Sequence, residues 1–349
     1  TEGKIFIGEL SLDGGVRKVN GVLSMIIEAQ RSGFKEIFIP EENAAEGKLV
    51  TGIDVYTHSN LRQLIEHLQG KIKLQPLPKE NILQNLDRAY DVDFADVKGQ
   101  PVARRALEIA AAGGHSILMM GAPGCGKTML ARRLVTILPP VTEAEALEIT
   151  KIYSIVNMLP ETESVMIERP FRSPHHSVSA SALLGGGTYP MPGEVTLSHN
   201  GVLFLDELPE FERYTLEMLR QPLEDGEVHI SRVRGTMNYP ARFLLIAAGN
   251  PCPCGYLGDK FRRCTCKQKD VENYRRKISG PLLDRFDMQI NLVRVEYDEL
   301  KNKATGESSS EIRKRVVEAR NVQLERFVGT GFYCNAQMTR REVVEYCQL

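Results

Sequence analysis

The segment Gly121-Ala122-Pro123-Gly124-Cys125-Gly126-Lys127-Thr128 fits the pattern G-x-x-x-x-G-K-[ST] and stands between an apolar run and a helical one, where a phosphate-binding loop works. Its glycines let backbone N–H groups turn inward around an anion. Lys127 adds positive charge at the β- and γ-phosphate oxygens, and the Thr128 hydroxyl offers a ligand to Mg2+. With Met129 just inside the following helix, residues 121–129 form the expected ATP-contacting set. The bland alternative is a fortuitous glycine turn, against which the flanking elements argue.

Three more segments complete a hydrolytic site. Val202-Leu203-Phe204-Leu205 is apolar and ends in two carboxylates, as a Walker B element should. Asp206 would belong to the Mg2+ shell, and Glu207 would orient and activate the attacking water. Solvated acids at a strand end are the alternative. Asn250 closes the run Leu244–Gly249, from which its amide can set water against the γ-phosphate or cap the turn before Pro251. Arg285, in Leu282-Leu283-Asp284-Arg285-Phe286, is a candidate arginine finger for a neighbouring subunit. A salt bridge with Asp284 or Asp287 would also account for it. The expected catalytic set is therefore Lys127, Asp206, Glu207, Asn250 and Arg285, with Thr128 and Asp206 at Mg2+.

A second constellation lies just beyond Asn250. Cys252-Pro253-Cys254, nine residues, and Cys264-Thr265-Cys266 put four thiols on one loop, a set suited to tetrahedral Zn2+ though tighter than the common C-x-x-C spacing. A structural ion would pin a loop too polar to have its own core; free thiols are the other reading. From Asp259 to Lys277 the chain carries eight basic residues, Lys260, Arg262, Arg263, Lys267, Lys269, Arg275, Arg276 and Lys277, against three acids. That patch suits phosphates, and a merely solvated face explains it nearly as well. The histidines, including the pair His175-His176, lack ligand spacing and are assigned no metal.

These residues need a parallel sheet to hold them. A helix over Val102–Ala112, an apolar strand over Ser116–Met120, the glycine loop and a helix over Lys127–Leu138 make a βα phosphate-binding unit, and strands over Gly201–Leu205 and Arg242–Ala248 supply the rest of the sheet. Ahead of it, residues 1–72 read as a separate α/β module: a strand over Ile5–Leu12 turning at Asp13-Gly14-Gly15, a helix from Val22, a strand over Glu36–Ile39 and a helix over Leu61–Leu68. Residues 73–94, with Pro76 and Pro78, read as a linker, 95–280 as the ATPase core and 281–349 as a charged, mostly helical region that begins a lid.

Composition removes several classes. The 349 residues are 42% hydrophobic, ample for two or three domains. Forty-four basic residues meet 45 acidic ones, so a polyanion must be met by a local patch instead of the whole surface. Nothing approaches the roughly 18 apolar residues of a membrane span, and Thr1-Glu2-Gly3-Lys4 begins nothing like a secretory signal. Seven cysteines, four of them packed together, fit a metal cluster in a reducing compartment better than a disulfide framework. The expected setting is the cytoplasm, with no membrane partner.

Taken together, GAPGCGKT, GVLFLDEL, AAGNPCPCG and GPLLDRFD resemble the magnesium-chelatase-like branch of AAA+ ATPases, specifically the ComM/YifB family, over nearly the whole chain. The resemblance implies an AAA+ core behind a degenerate Lon-protease-like module. Gly8–Gly14 and Asn20–Met25 look like the end of that module, whose start is expected before Thr1, and Leu23 occupies the position of a Lon catalytic lysine, so no protease is expected. It further implies a ring, hexameric in expectation, acting as a helicase that promotes branch migration on single-stranded or branched DNA during natural transformation. Two insertions would line the pore. Arg169–His176, running on to Gly185-Gly186-Gly187, matches the insertion in the second helix, and Gly226–Tyr239 matches a hairpin before the sensor strand. Arg232 and Arg234, two apart on that hairpin, would share a face toward DNA, or else merely guard a solvated edge. A chelatase-type motor and a MoxR-like remodeller of protein complexes share the same catalytic core and stay open as alternatives. A second sensing arginine is expected in a lid beyond Leu349.

Overall fold

A computed structural model describes residues 3–80, 90–160, 165–188, 190–232, 235–295 and 306–348, with the side chain of Arg232 outside the description. The chain divides into two compact units: residues 1–88 with 140–168, and residues 89–139 with 169–349. Among the described residues no helix is long and apolar enough to cross a membrane.

In the first unit β1 (Lys4–Phe6), β4 (Glu36–Pro40) and β5 (Asp54–His58) make a parallel sheet in the order β1-β4-β5, while β2 (Glu9–Leu10) and β3 (Val16–Arg17) form a small hairpin. The single strand expected over Ile5–Leu12 is thus two. Its first part joins β4, and the chain breaks at Gly8, where an added Cβ would lie 2.4 Å from Val16 Cγ1. The helix Val22–Arg31 buries Val22, Leu23, Ile26 and Ala29 along one stripe. Strand β5 escapes the sequence reading because Asp-Val-Tyr-Thr-His lacks an apolar run. A helix at Glu143–Ile155 also belongs to this unit, although the sequence reading placed it inside the ATPase core. Its start is written in the sequence as a capping box, with Glu145 N–H donating to Thr142 Oγ1 at 3.2 Å and Thr142 N–H to Glu145 Oε2 at 2.8 Å.

The second unit carries a five-stranded sheet. Its strands are β6 (Ile117–Gly121), β7 (Phe171–Arg172), β10 (Val202–Leu205), β13 (Leu244–Gly249) and β14 (Met288–Leu292), all parallel, in the order β14-β6-β13-β10-β7. Helices cover its faces, so β10 and β13 are buried throughout and read as unbroken apolar runs. Two further hairpins, β8 (Gly185–Gly186) with β9 (Met191–Pro192) and β11 (Glu227–Arg232) with β12 (Gly235–Pro240), project from it. This is the α/β, AAA+ P-loop core expected of the sequence.

Three assignments change. Phe171–Arg172, read as the start of an insertion, is an edge strand paired to β10, and the hairpin proper is β8–β9. Strand β14, read as part of a helical region, pairs with β6; Met-Gln-Ile-Asn-Leu alternates as a half-buried edge strand does and so lacks an apolar run. The helix Ser309–Arg326 packs on the helix Pro101–Gly113, contributing Ile312 and Val316 to the core while Arg320 Nε and Gln323 Nε2 each donate to the Ala112 carbonyl at 3.0 Å. A boundary at residue 281 therefore cuts through the core.

Candidate nucleotide site and thiol cluster

The carboxyl ends of β6, β10 and β13 converge, and the loops leaving them bring the expected site residues together. After β6 the chain reverses through Gly124 (φ 79°) and Gly126 (φ 94°), left-handed conformations that glycine adopts without a Cβ penalty. Lys127 opens the next helix and is only 9% exposed. Its Nζ donates to the carbonyls of Gly121 (2.7 Å) and Ala122 (3.2 Å) and to Asn250 Oδ1 (3.2 Å). No carboxylate among the described residues lies within ion-pair distance of it. Burial therefore pushes its pKa down, despite attraction from Cys125, Asp206 and Glu207. A buried ammonium held by neutral dipoles alone favours an incoming anion, and in this respect the loop fits a triphosphate. Met129 is partly buried against the core.

The acidic half of the site comes from β10. Thr128 Oγ1 donates to Asp206 Oδ2 at 2.7 Å, so the two expected Mg2+ ligands already share one point. Asp206 Oδ1 accepts from the N–H of Glu207 at 2.9 Å. Glu207 has φ 53°, an uncommon conformation for a non-glycine residue, and its carboxylate is half-exposed. Its Oε2 lies 3.2 Å from His176 Nδ1. The sequence assigns that histidine no metal and counts it in an insertion lining the pore; only the packing of β7 beside β10 brings it here.

Two more residues escaped the sequence reading. Gln100, buried and at φ 55°, donates from Nε2 to the Cys125 carbonyl at 3.2 Å and props the phosphate loop from beneath. Arg294, just past β14, donates to the Pro123 carbonyl from Nη2 at 3.0 Å and from Nε at 3.3 Å. Neither stands in a motif, and both act through backbone carbonyls, so nothing in residue type or spacing marks them.

Arg285 lies outside this cluster of contacts. It pairs with Glu224 rather than with either aspartate that the sequence offered, while Asp287 accepts from the Ser116 N–H at 3.1 Å and lies 3.0 Å from His115 Nδ1. The backbone of Arg232 ends β11 opposite Gly235, and Arg234 lies outside the described residues. The β11–β12 hairpin is rooted by buried Val228, Ile230 and Tyr239, the last donating from its hydroxyl to the Pro190 carbonyl at 2.7 Å. All eight basic residues between 259 and 277 are exposed.

The four thiols form a tight group. Cys252 Sγ lies 3.4 Å from Cys254 Sγ and 3.6 Å from Cys264 Sγ, Cys254 and Cys264 are 3.6 Å apart, and all four sulfurs fall within 4.8 Å of one another. Four Zn–S bonds of about 2.3 Å would set sulfurs roughly 3.8 Å apart, whereas a disulfide needs about 2.05 Å. The thiols are free, and their spacing suits a shared ion. The amides of Thr265 and Tyr256 pull the Cys254 thiol down to about 5, whereas burial and hydrogen bonds with the neighbouring thiols push Cys264 up and Cys266 to about 12; the Cys254 N–H points at Cys266 Sγ (3.4 Å).

Comparison with known proteins agrees with this arrangement. Residues 93–300 match the family model for magnesium chelatase, subunit ChlI, and residues 1–43 and 306–349 match models for further parts of that subunit. The chain is 45% identical to YifB of Salmonella typhimurium over 345 residues and 43% identical to competence protein ComM of Haemophilus influenzae over 341, covering 98% and 97% of this chain. It spans 66% of the length of each. The 38 kDa magnesium-chelatase subunit of Rhodobacter capsulatus is 26% identical over 176 residues, 45% of this chain and 50% of that one. With its phosphate loop, acidic strand end and sensor-strand asparagine in one place, the chain belongs to the magnesium chelatase subunit ChlI family, in the branch of YifB and ComM.

Proposed function

We propose that this protein is an ATP-hydrolysing, ring-forming AAA+ motor that moves DNA, a helicase and branch-migration factor in recombination, and not a protease. The observation that carries the hydrolytic part is the convergence on one point of Lys127, Thr128, Asp206, Glu207 and Asn250. Thr128 and Asp206 would hold Mg2+, which supplies charge at the β- and γ-phosphate oxygens. Lys127 draws the γ-phosphate against Asn250, and Glu207, once turned from His176, accepts a proton from the attacking water. Arg285 completes the neighbouring subunit's site. Natural transformation is the setting that the ComM relative's name supports.

DNA as the substrate rests on the exposed basic stretch 259–277, which offers guanidinium and ammonium groups to a phosphate backbone, and on the sequence of the β11–β12 hairpin, which includes Arg232 and Arg234. ATP turnover is expected to rise severalfold with single-stranded or forked DNA. Arg232→Ala combined with Arg234→Ala should abolish that rise and leave basal turnover within about twofold, since neither residue belongs to the set proposed to bind or hydrolyse ATP. Stimulation by a protein partner but by no nucleic acid would favour the chelatase-type or MoxR-like alternative.

The four thiolates, in this reading, hold a structural Zn2+. Their sulfur spacing supports it, together with the lack of any hydrophobic cluster within residues 252–266.

A further inference from the structure

The loop that carries the four thiols begins two residues after Asn250 and leans on the phosphate loop at two points. Gly255, bonded from its N–H to the Cys252 carbonyl at 2.9 Å, lies so close to Pro123 that a Cβ added to it would stand 2.7 Å from Pro123 Cδ. On the other side, Asp259 buries its carboxylate and lies 3.6 Å from Arg294 Nε, and the ring of Tyr256 lies 5.5 Å beneath the same guanidinium. Arg294 in turn donates both of its hydrogen bonds named above to the Pro123 carbonyl. Tyr256 and Asp259 both fall between the two thiol pairs, so the shape of the loop between the pairs decides where Arg294 sits.

We infer that the thiol cluster is a zinc-locked buttress of the nucleotide site: the bound ion fixes residues 252–266, which hold the phosphate loop through Gly255–Pro123 and through Asp259–Arg294, and fix Asn250 beside Lys127. The inference rests on the zinc reading. A loop this polar has no apolar interior to hold its shape, so the four metal–sulfur bonds are its main constraint. Nucleotide affinity then depends on metal occupancy because the phosphate loop has to be ordered before its amides can bind an anion, and a binding partner pays for any ordering left undone.

The test uses the full-length protein, with zinc measured by elemental analysis and binding of a fluorescent, non-hydrolysable ATP analogue measured by titration. One zinc per chain is expected. Stripping it with a chelator under reducing conditions, or making Cys266→Ser, should weaken analogue binding about tenfold. Arg294→Met should retain the zinc and weaken binding by a similar factor, on the order of tenfold for a lost charge-assisted contact. Gly255→Ala, which drives a methyl group into Pro123, should do likewise. Absence of zinc from protein purified with thiols intact would overturn the metal assignment, and the buttress with it. Zinc present, but affinity unmoved by its removal and by Arg294→Met, would overturn the buttress alone. A loss on zinc removal with none in Arg294→Met and Gly255→Ala would equally overturn it, by showing that the named contacts carry nothing.

Discussion

Glu207→Gln should leave ATP binding intact and lower turnover by about 10² to 10⁴, the range over which a positioned general base contributes. The amide keeps the size and hydrogen-bonding reach of the carboxylate but cannot accept a proton from water. The Thr128–Asp206 contact does not involve the Glu207 side chain, and Lys127 bonds to carbonyls and to Asn250, so the binding half of the site has no reason to change. Single-turnover hydrolysis alongside equilibrium binding of an ATP analogue separates the two. Turnover within threefold of the parent would remove Glu207 from the role of base. The residue's left-handed backbone at φ 53° places it at the head of a short turn over Leu208–Glu210, and the substitution asks nothing new of that backbone.

A loss of comparable or larger size is expected for Arg285→Ala, about 10³-fold in turnover if the guanidinium serves as a finger. Within its own chain Arg285 pairs with Glu224, an exposed contact worth roughly 0–1 kcal/mol. Glu224→Gln breaks the same pair and should therefore cost less than about fivefold. Mixed assemblies sharpen the test. A subunit with Arg285→Ala retains its own phosphate loop and acidic pair, and a subunit with Glu207→Gln retains its own arginine. Mixing two inactive proteins should restore part of the activity if the guanidinium acts across a subunit boundary. If the mixture stays as inactive as its components, Arg285 works within its own chain or only as a surface ion pair.

The residues of the candidate site were legible in the sequence because they are constrained by type and spacing at once. A glycine loop needs glycines at Gly124 and Gly126 for their positive φ, and a strand end with both faces covered reads as an unbroken apolar run before Asp206 or Asn250. What failed were the edges. Strands β7 and β14 lie at the two margins of the sheet, one only two residues long and the other half-exposed, and neither yields the apolar run that marks the central strands. The helix Glu143–Ile155 carries a capping box that the reading of the sequence passed over, and its membership of a unit is decided by tertiary packing. His176, Gln100 and Arg294 were invisible for the same reason, since each touches the site only after strands distant in sequence have paired.

A nucleoside triphosphate is expected to bind against the buried Lys127 ammonium. Titrating a non-hydrolysable ATP analogue with Mg2+ into the purified protein, and into Lys127→Ala, tests it directly. Saturable binding of one analogue per chain is expected, weakened on the order of 100-fold by the substitution, since a buried charge-assisted contact is lost. No binding to the intact protein, or equal binding to both, would contradict it.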